Sequence, residues 1–209
     1  EPDAQLDAEL DELKQNLRFF EDEGFEVGVW MNSLGHGGPL IQDQADQGAR
    51  REYRRMVGLN LTSCDDTFCP SDEDFVQDFS DWIRRVAQAG GKMIMLDDDY
   101  RLSYRSSGMG CCCDYHMREY SRRVGHPVSR EELRAKVFAG GPNPYRDAWL
   151  DMGRDMLTEL ARKIRQKVDS VDDRIRLGFC SVLSTWDVDG VDAISLAKVF
   201  GRGTRPFLR

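Results

Sequence analysis

The chain has 209 residues, 40% hydrophobic and 32% charged, enough for one sizeable core and hence one domain or a piece of one. A formal net charge of −8 and the lack of a basic stripe argue against nucleic-acid binding; the Arg51, Arg54, Arg55 and Arg122, Arg123 runs are short and interleaved with acids, as on solvated helix faces. No apolar run approaches the roughly 20 residues that span a membrane, no secretory signal is read, and a start at Glu1 in place of Met suggests processing or clipping.

Taken in chain order, Leu6, Leu10, Leu13, Leu17 and Phe20 recur at three- and four-residue steps and predict an amphipathic helix ended by Gly24. Phe25–Trp30 reads as a short buried strand, followed by the Gly-rich loop Gly35-His36-Gly37-Gly38-Pro39. Met56–Leu61 is a second strand and Thr62–Cys69 a loop, after which Pro70-Ser71 opens a helix carrying Phe75, Phe79, Ile83 and Val86 inward. Lys92–Leu96 is a third strand whose apolar run ends in Asp97-Asp98-Asp99. A long insertion then holds a Gly/Cys loop and a helix near Tyr115–Val124. Within it, Ser129 begins a short helix, with Glu132 completing a capping-box pattern. Past Pro142-Asn143-Pro144, a long helix buries Trp149, Met152, Met156, Leu160, Ile164 and Val168. Arg174–Cys180 is a fourth strand, Asp192–Phe200 a helix, and Arg205–Leu208 the start of a fifth strand.

Strands and helices alternate without Asn-Gly or Asp-Gly hairpin signals, which predicts βα units around a parallel sheet. Both a doubly wound sheet and a (β/α)₈ barrel fit, and no Gly-x-Gly-x-x-Gly follows a strand to support dinucleotide binding. In the barrel reading, Asn32, Ser63, Asp99, Ser181 and Trp186 converge on the face beyond the strand ends. A full barrel needs eight strands, so the chain is expected to be a partial TIM barrel over residues 1–209, with pieces missing at both ends.

Two clusters could carry chemistry. Three adjacent carboxylates raise at least one pKa among them, as a general acid requires; a solvated acidic loop and a Mg²⁺ site are the other readings of Asp97, Asp98 and Asp99. Pleating would send Asp97 and Asp99 to one side and Asp98 to the other. The second cluster is Cys111-Cys112-Cys113-Asp114-Tyr115-His116, which contains Cys-x-Cys-x-x-His. Two thiolates and an imidazole at this spacing can wrap a tetrahedral ion, with Cys64 or Cys69 as candidate fourth ligand. Buried reduced thiols and a Cys-His nucleophile are the alternatives, and six cysteines without a small secreted scaffold suggest a reduced, cytoplasmic setting. His36 and Trp186 are candidate ligand contacts, the latter by stacking on a sugar ring, while Arg101 could pair with the aspartates or with ligand. Trp30, Trp82 and Trp149 fit core positions.

Two windows resemble the family-42 β-galactosidases: Phe68-Cys69-Pro70-Ser71, and Met95-Leu96-Asp97-Asp98-Asp99-Tyr100 followed by Cys111-x-Cys113-x-x-His116. The resemblance implies that the five strands are barrel strands two to six. It also implies that Asp99 stands at the acid/base position, and that Cys69, Cys111, Cys113 and His116 hold a structural zinc. The family has Glu at the position of Asp99 and Cys at that of His116. Its nucleophile follows strand seven, beyond this chain, so the chain alone is expected to be inactive. The implied function is hydrolysis of glycosidic bonds in a carbohydrate, with Asp97, Asp98, Asn32, His36, Arg101 and Trp186 contacting substrate. The alternatives are a non-catalytic carbohydrate-binding or structural barrel and a Mg²⁺-dependent hydrolase. No nucleic-acid or membrane partner is expected, and a homo-oligomer is left open.

Overall fold

The computed structural model describes residues 2–35, 52–182 and 188–209. Helix α1 spans Pro2–Asp22 and ends where Gly24 takes a φ of 87°, a left-handed turn that glycine enters without Cβ strain. Strand β1 is Val29–Met31. Strands β2 (Arg55–Val57) and β3 (Ser63–Phe68) precede α2 (Glu73–Gln88) and β4 (Met93–Leu96). Helices α3 (Asp114–Val124), α4 (Arg130–Val137) and α5 (Pro144–Asp169) follow, then β5 (Arg176–Phe179), α6 (Ala193–Gly201) and β6 (Phe207–Leu208).

Polar caps set the helix starts. Asp72, Asn143 and Asp192 accept first-turn amides of α2, α5 and α6, and Ser129 accepts the Glu132 amide to begin α4. All six apolar residues expected to face inward from the long helix α5 are buried.

Strands β1, β4, β5 and β6 form a four-stranded parallel sheet in that order. Successive strands are added at one side, so the winding never reverses as it does in a doubly wound sheet. Ile94 pairs with Val29 and Leu177, and Leu96 with Met31 and Phe179, which places these six side chains on one face. That face shares one core with the buried stripes of α2, α5 and α6; the Phe179 and Phe200 rings, for example, lie 5.7 Å apart. The opposite face carries the register row Trp30, Met95, Gly178 and Phe207. Gly178 makes room for the Phe207 ring, since a Cβ there would sit 2.6 Å from ring atom Cδ2. Trp30, expected in the core, is 54% exposed and lies under the Arg209 guanidinium of the far edge strand, 4.5 Å from its ring centre.

The main correction concerns β2 and β3. Met56–Leu61 is not a strand of the parallel sheet, and Thr62–Cys69 is not a loop. Arg55–Val57 and Ser63–Phe68 pair antiparallel as a separate two-stranded sheet with an irregular register. The turn has no Asn-Gly. It is closed by Leu61 at a φ of 69° and by Asn60 Oδ1, which accepts from the amide (3.0 Å) and hydroxyl (2.8 Å) of Thr62. Asp65 and Asp66 disguise β3 as a loop because aspartate is a poor strand former. Among the described residues the fold is therefore mixed α/β with an open parallel sheet, and the expected (β/α)₈ barrel is replaced by four parallel strands plus this hairpin. Arg54 and Arg55, read as part of a solvated helix face, lie at and beside β2. No described helix is long and apolar enough to cross a membrane.

Candidate metal centre

The hairpin brings the cysteines together. Cys69 directly follows β3, and its amide donates to the Arg54 carbonyl (2.8 Å), continuing the pairing. The segment holding Cys111 docks on the same hairpin: the Leu59 amide donates to the Met109 carbonyl (3.1 Å) and the Cys112 amide to that of Val57 (2.6 Å). Gly110 allows this approach, with a φ of 66° and the Trp149 ring 2.0 Å from where a Cβ would stand. Cys113 occupies the cap position of α3 without using its sulfur as a cap, and His116 sits in the first turn.

The result is a knot of four ligand-type atoms within 4.8 Å of one another, from Cys69, Cys111, Cys113 and His116. The Cys69 and Cys113 sulfurs are 3.9 Å apart, and His116 Nδ1 lies 3.6 Å from the first and 3.4 Å from the second. A tetrahedral zinc, with sulfur at about 2.3 Å and nitrogen at about 2.0–2.1 Å, sets S···S edges of about 3.8 Å and S···N edges of about 3.6 Å. The measured edges match to within a few tenths of an ångström. All four residues are at most 3% exposed. His116 Nε2 is turned the other way, 3.1 Å from Ser71 Oγ, which fixes the ring so that Nδ1 faces the sulfurs.

The electrostatics suit a cation. Cys111 and Cys69 donate to the Cys113 sulfur and, with His116 beside it, drive its pKa down against burial. Cys111 is pushed well up, chiefly by Cys113 and then by Cys69 and burial. For Cys69, Cys111 draws the value down, but Cys113 and burial outweigh it and the net shift is upward. The sulfurs of Cys69 and Cys111 thus hold their protons around the Cys113 thiolate unless a positive ion replaces them. Arg54 stands at the edge of the cluster, over the Tyr115 ring at 5.5 Å. Burial lowers its pKa, and the sulfurs of Cys69 and Cys113 together with the Asp72 carboxylate more than reverse the shift. Arg54 and Ser71 were not singled out as site residues, because their roles depend on the hairpin placing them beside the sulfurs.

The other candidate ligands lie elsewhere. The Cys64 sulfur donates to Asp66 Oδ1 (2.9 Å), and Cys112 donates to the Gly58 carbonyl (3.3 Å), so the fourth ligand position falls to Cys69. Cys180, half-buried, follows β5.

The aspartates part company beyond β4. Asp99 is fully buried, and its carboxylate accepts the Ser33 amide (2.9 Å to each oxygen), the Ser33 hydroxyl (2.6 Å) and the Gly35 amide (2.8 Å). Arg105, buried by the same loop, donates to the Asp99 carbonyl (2.5 Å). Asp97 and Asp98 remain half-buried; Asp97 Oδ1 accepts the Asp98 amide (2.7 Å), and Asp98 Oδ2 lies 3.4 Å from Arg101. The expected strand-like alternation stops with β4, and among the described residues the three aspartates do not gather as a metal site. Asn32 is exposed just past β1. His36 and Trp186 lie outside the described residues.

No family model, curated protein or solved structure matches the chain. The resemblance to the family-42 β-galactosidases is accordingly corrected. The element taken as the third barrel strand belongs to an antiparallel hairpin, and the sheet has four parallel strands.

Proposed function

We propose that Cys69, Cys111, Cys113 and His116 hold one structural zinc ion that staples the β2–β3 hairpin to the loop ahead of α3. The observation that carries this reading is the fit of the three measured ligand edges to a zinc tetrahedron. Bound there, zinc supplies fixed charge and cross-linking. Four protein ligands, all buried, leave no position for a reacting water, so the role is structural. Three thiolates and a neutral imidazole around Zn²⁺ leave about one negative charge, which Arg54 offsets. The test is elemental mass spectrometry of the purified chain beside a Cys111→Ser/Cys113→Ser variant. About one zinc per chain, lost in the variant, supports the reading; well-folded protein without metal defeats it.

A second reading assigns ligand binding, with a carbohydrate as the ligand class, to the carboxyl end of the sheet. One observation favours it. Asp97, Asp98 and Arg101 stand partly accessible just beyond β4, where open parallel sheets place their ligands, and such groups suit hydroxyl-rich molecules. Under this reading Asp98 and Asp97 meet the ligand, while Asp99 holds the loop after β1. Isothermal titration with a panel of mono- and disaccharides, repeated with Asp98→Asn, tests binding. Release of reducing sugar from disaccharides separates an enzyme from a binding module. No heat from any sugar removes this reading.

A further inference from the structure

The opposite end of the sheet holds an arginine-rich cleft. Arg174, Arg176, Arg202 and Arg205 line a cleft of about 780 Å³ together with Asp169 and Asp173, at the amino-terminal ends of β5 and β6. That volume lies in the usual range for a small-molecule site. Four guanidiniums in one cleft are notable in a chain with a net charge of −8.

Two of the four are already satisfied. Arg202 pairs with Asp169 Oδ2 (2.5 Å), while the other oxygen of Asp169 takes Arg165 (2.6 Å). Arg174 forms a two-pronged pair with Asp172, at 3.0 and 2.8 Å. These contacts also set positive charge near the carboxyl ends of α5 and α6, where helix dipoles favour it. The other two are not satisfied. Arg176 Nη1 is 3.8 Å from Glu26, its Nε is buried without an acceptor, and its guanidinium stacks on Phe207 with 5.3 Å to the ring centre. Arg205 has no ion pair among the described residues, and its side chain is exposed. Stacking holds the Arg176 fork in place before any ligand arrives, which reduces the entropy lost on binding.

We propose that this cleft binds the phosphate group of a small molecule, with Arg176 and Arg205 as the anion-binding pair. Guanidinium forks match tetrahedral phosphate oxygens with paired, charge-assisted hydrogen bonds. Thr204 donates its hydroxyl to the Gly201 carbonyl (2.8 Å) and so presents lone pairs to the cleft, where it and Asp173 can accept from hydroxyls on the rest of the ligand. The site is independent of the zinc centre and of the carboxyl end of the sheet.

The test is titration of the full chain with inorganic phosphate at constant ionic strength, followed by phosphorus NMR and calorimetry. Saturable one-site binding is expected, weakened about tenfold or more by Arg205→Gln and by Arg176→Gln, but less than about threefold by Arg174→Gln, whose guanidinium Asp172 already holds. Arg205 is exposed, so its variant keeps the fold and decides the matter even if Arg176→Gln does not. Absence of saturation up to about 20 mM phosphate, or equal binding by the parent and Arg205→Gln, overturns the proposal.

Discussion

The cysteine triplet Cys111–Cys113 and the aspartate triplet Asp97–Asp99 are both runs of three identical residues, and they meet opposite fates. Cys111, Cys112 and Cys113 alternate, so that the first and third turn to Cys69 and His116 while the middle one turns away to the Gly58 carbonyl. Asp97, Asp98 and Asp99 do not alternate. The chain turns there, the Tyr100 amide donating to the Asp97 carbonyl (3.1 Å), and only Asp99 is drawn inside. Soft ligands at short spacing point to their own partner, an ion. Clustered acids do not, because backbone amides, arginine and water all satisfy a carboxylate.

The comparison can be broken most forcefully at the knot. Cys111→Ser/Cys113→Ser should release the metal and unfold the hairpin region, since structural zinc binding is worth roughly 10 kcal/mol or more in small domains. Loss of hydrogen-exchange protection across Arg55–Phe68, with α5 still protected, is the expected pattern; unchanged protection would mean that the hairpin stands without metal. Asp99→Ala should come next, costing about 3–5 kcal/mol in urea denaturation, because it strands the buried amides of Ser33 and Gly35 and leaves Arg105 without its nearby counter-charge. A cost below about 1 kcal/mol would remove the anchoring role. Ser71→Ala should lower zinc affinity about tenfold by freeing the His116 ring, measured by chelator competition, with the fold intact.

The smallest effect concerns Asp189, a buried carboxyl that burial raises above its usual pKa against the Leu102 amide (2.9 Å) and the Ser103 hydroxyl (3.3 Å). A carboxyl with a raised folded-state pKa binds its proton more tightly when folded. Its contribution is therefore favourable below the unfolded value of 3.8 and is lost as pH rises through the folded value. Asp189→Asn should accordingly gain stability relative to the parent between pH 4 and pH 7, read as the change in urea midpoint. A difference that is flat with pH would count against the burial of a charge at this position.

Much of the scaffold was legible in the sequence. Every predicted helix is present, because 3.6-residue apolar spacing and the caps Ser129, Asn143 and Asp192 act within a few residues of where they lie. The strands Lys92–Leu96 and Arg174–Cys180 are recovered as β4 and β5. Three members of the candidate metal cluster were legible too, since Cys-x-Cys-x-x-His brings its side chains together by its spacing. The hairpin was not: Asp65 and Asp66 hide β3, and its turn rests on the Asn60 side chain and a left-handed Leu61 instead of a two-residue signature.

The sequence by itself determined the helices, the strands β4 and β5 and three of the four residues of the Cys/His cluster, because each depends on neighbours close along the chain. Tertiary structure decided that Cys69 and not Cys64 completes the knot, that Asp99 is an anchor inside the fold, and that Arg54 and Ser71 flank the sulfurs. These outcomes join residues from 15 to 66 positions apart, such as Arg54 to Cys69 and Ser33 to Asp99. No local pattern encodes such contacts; they follow from how the hairpin and the post-strand loops pack against one core.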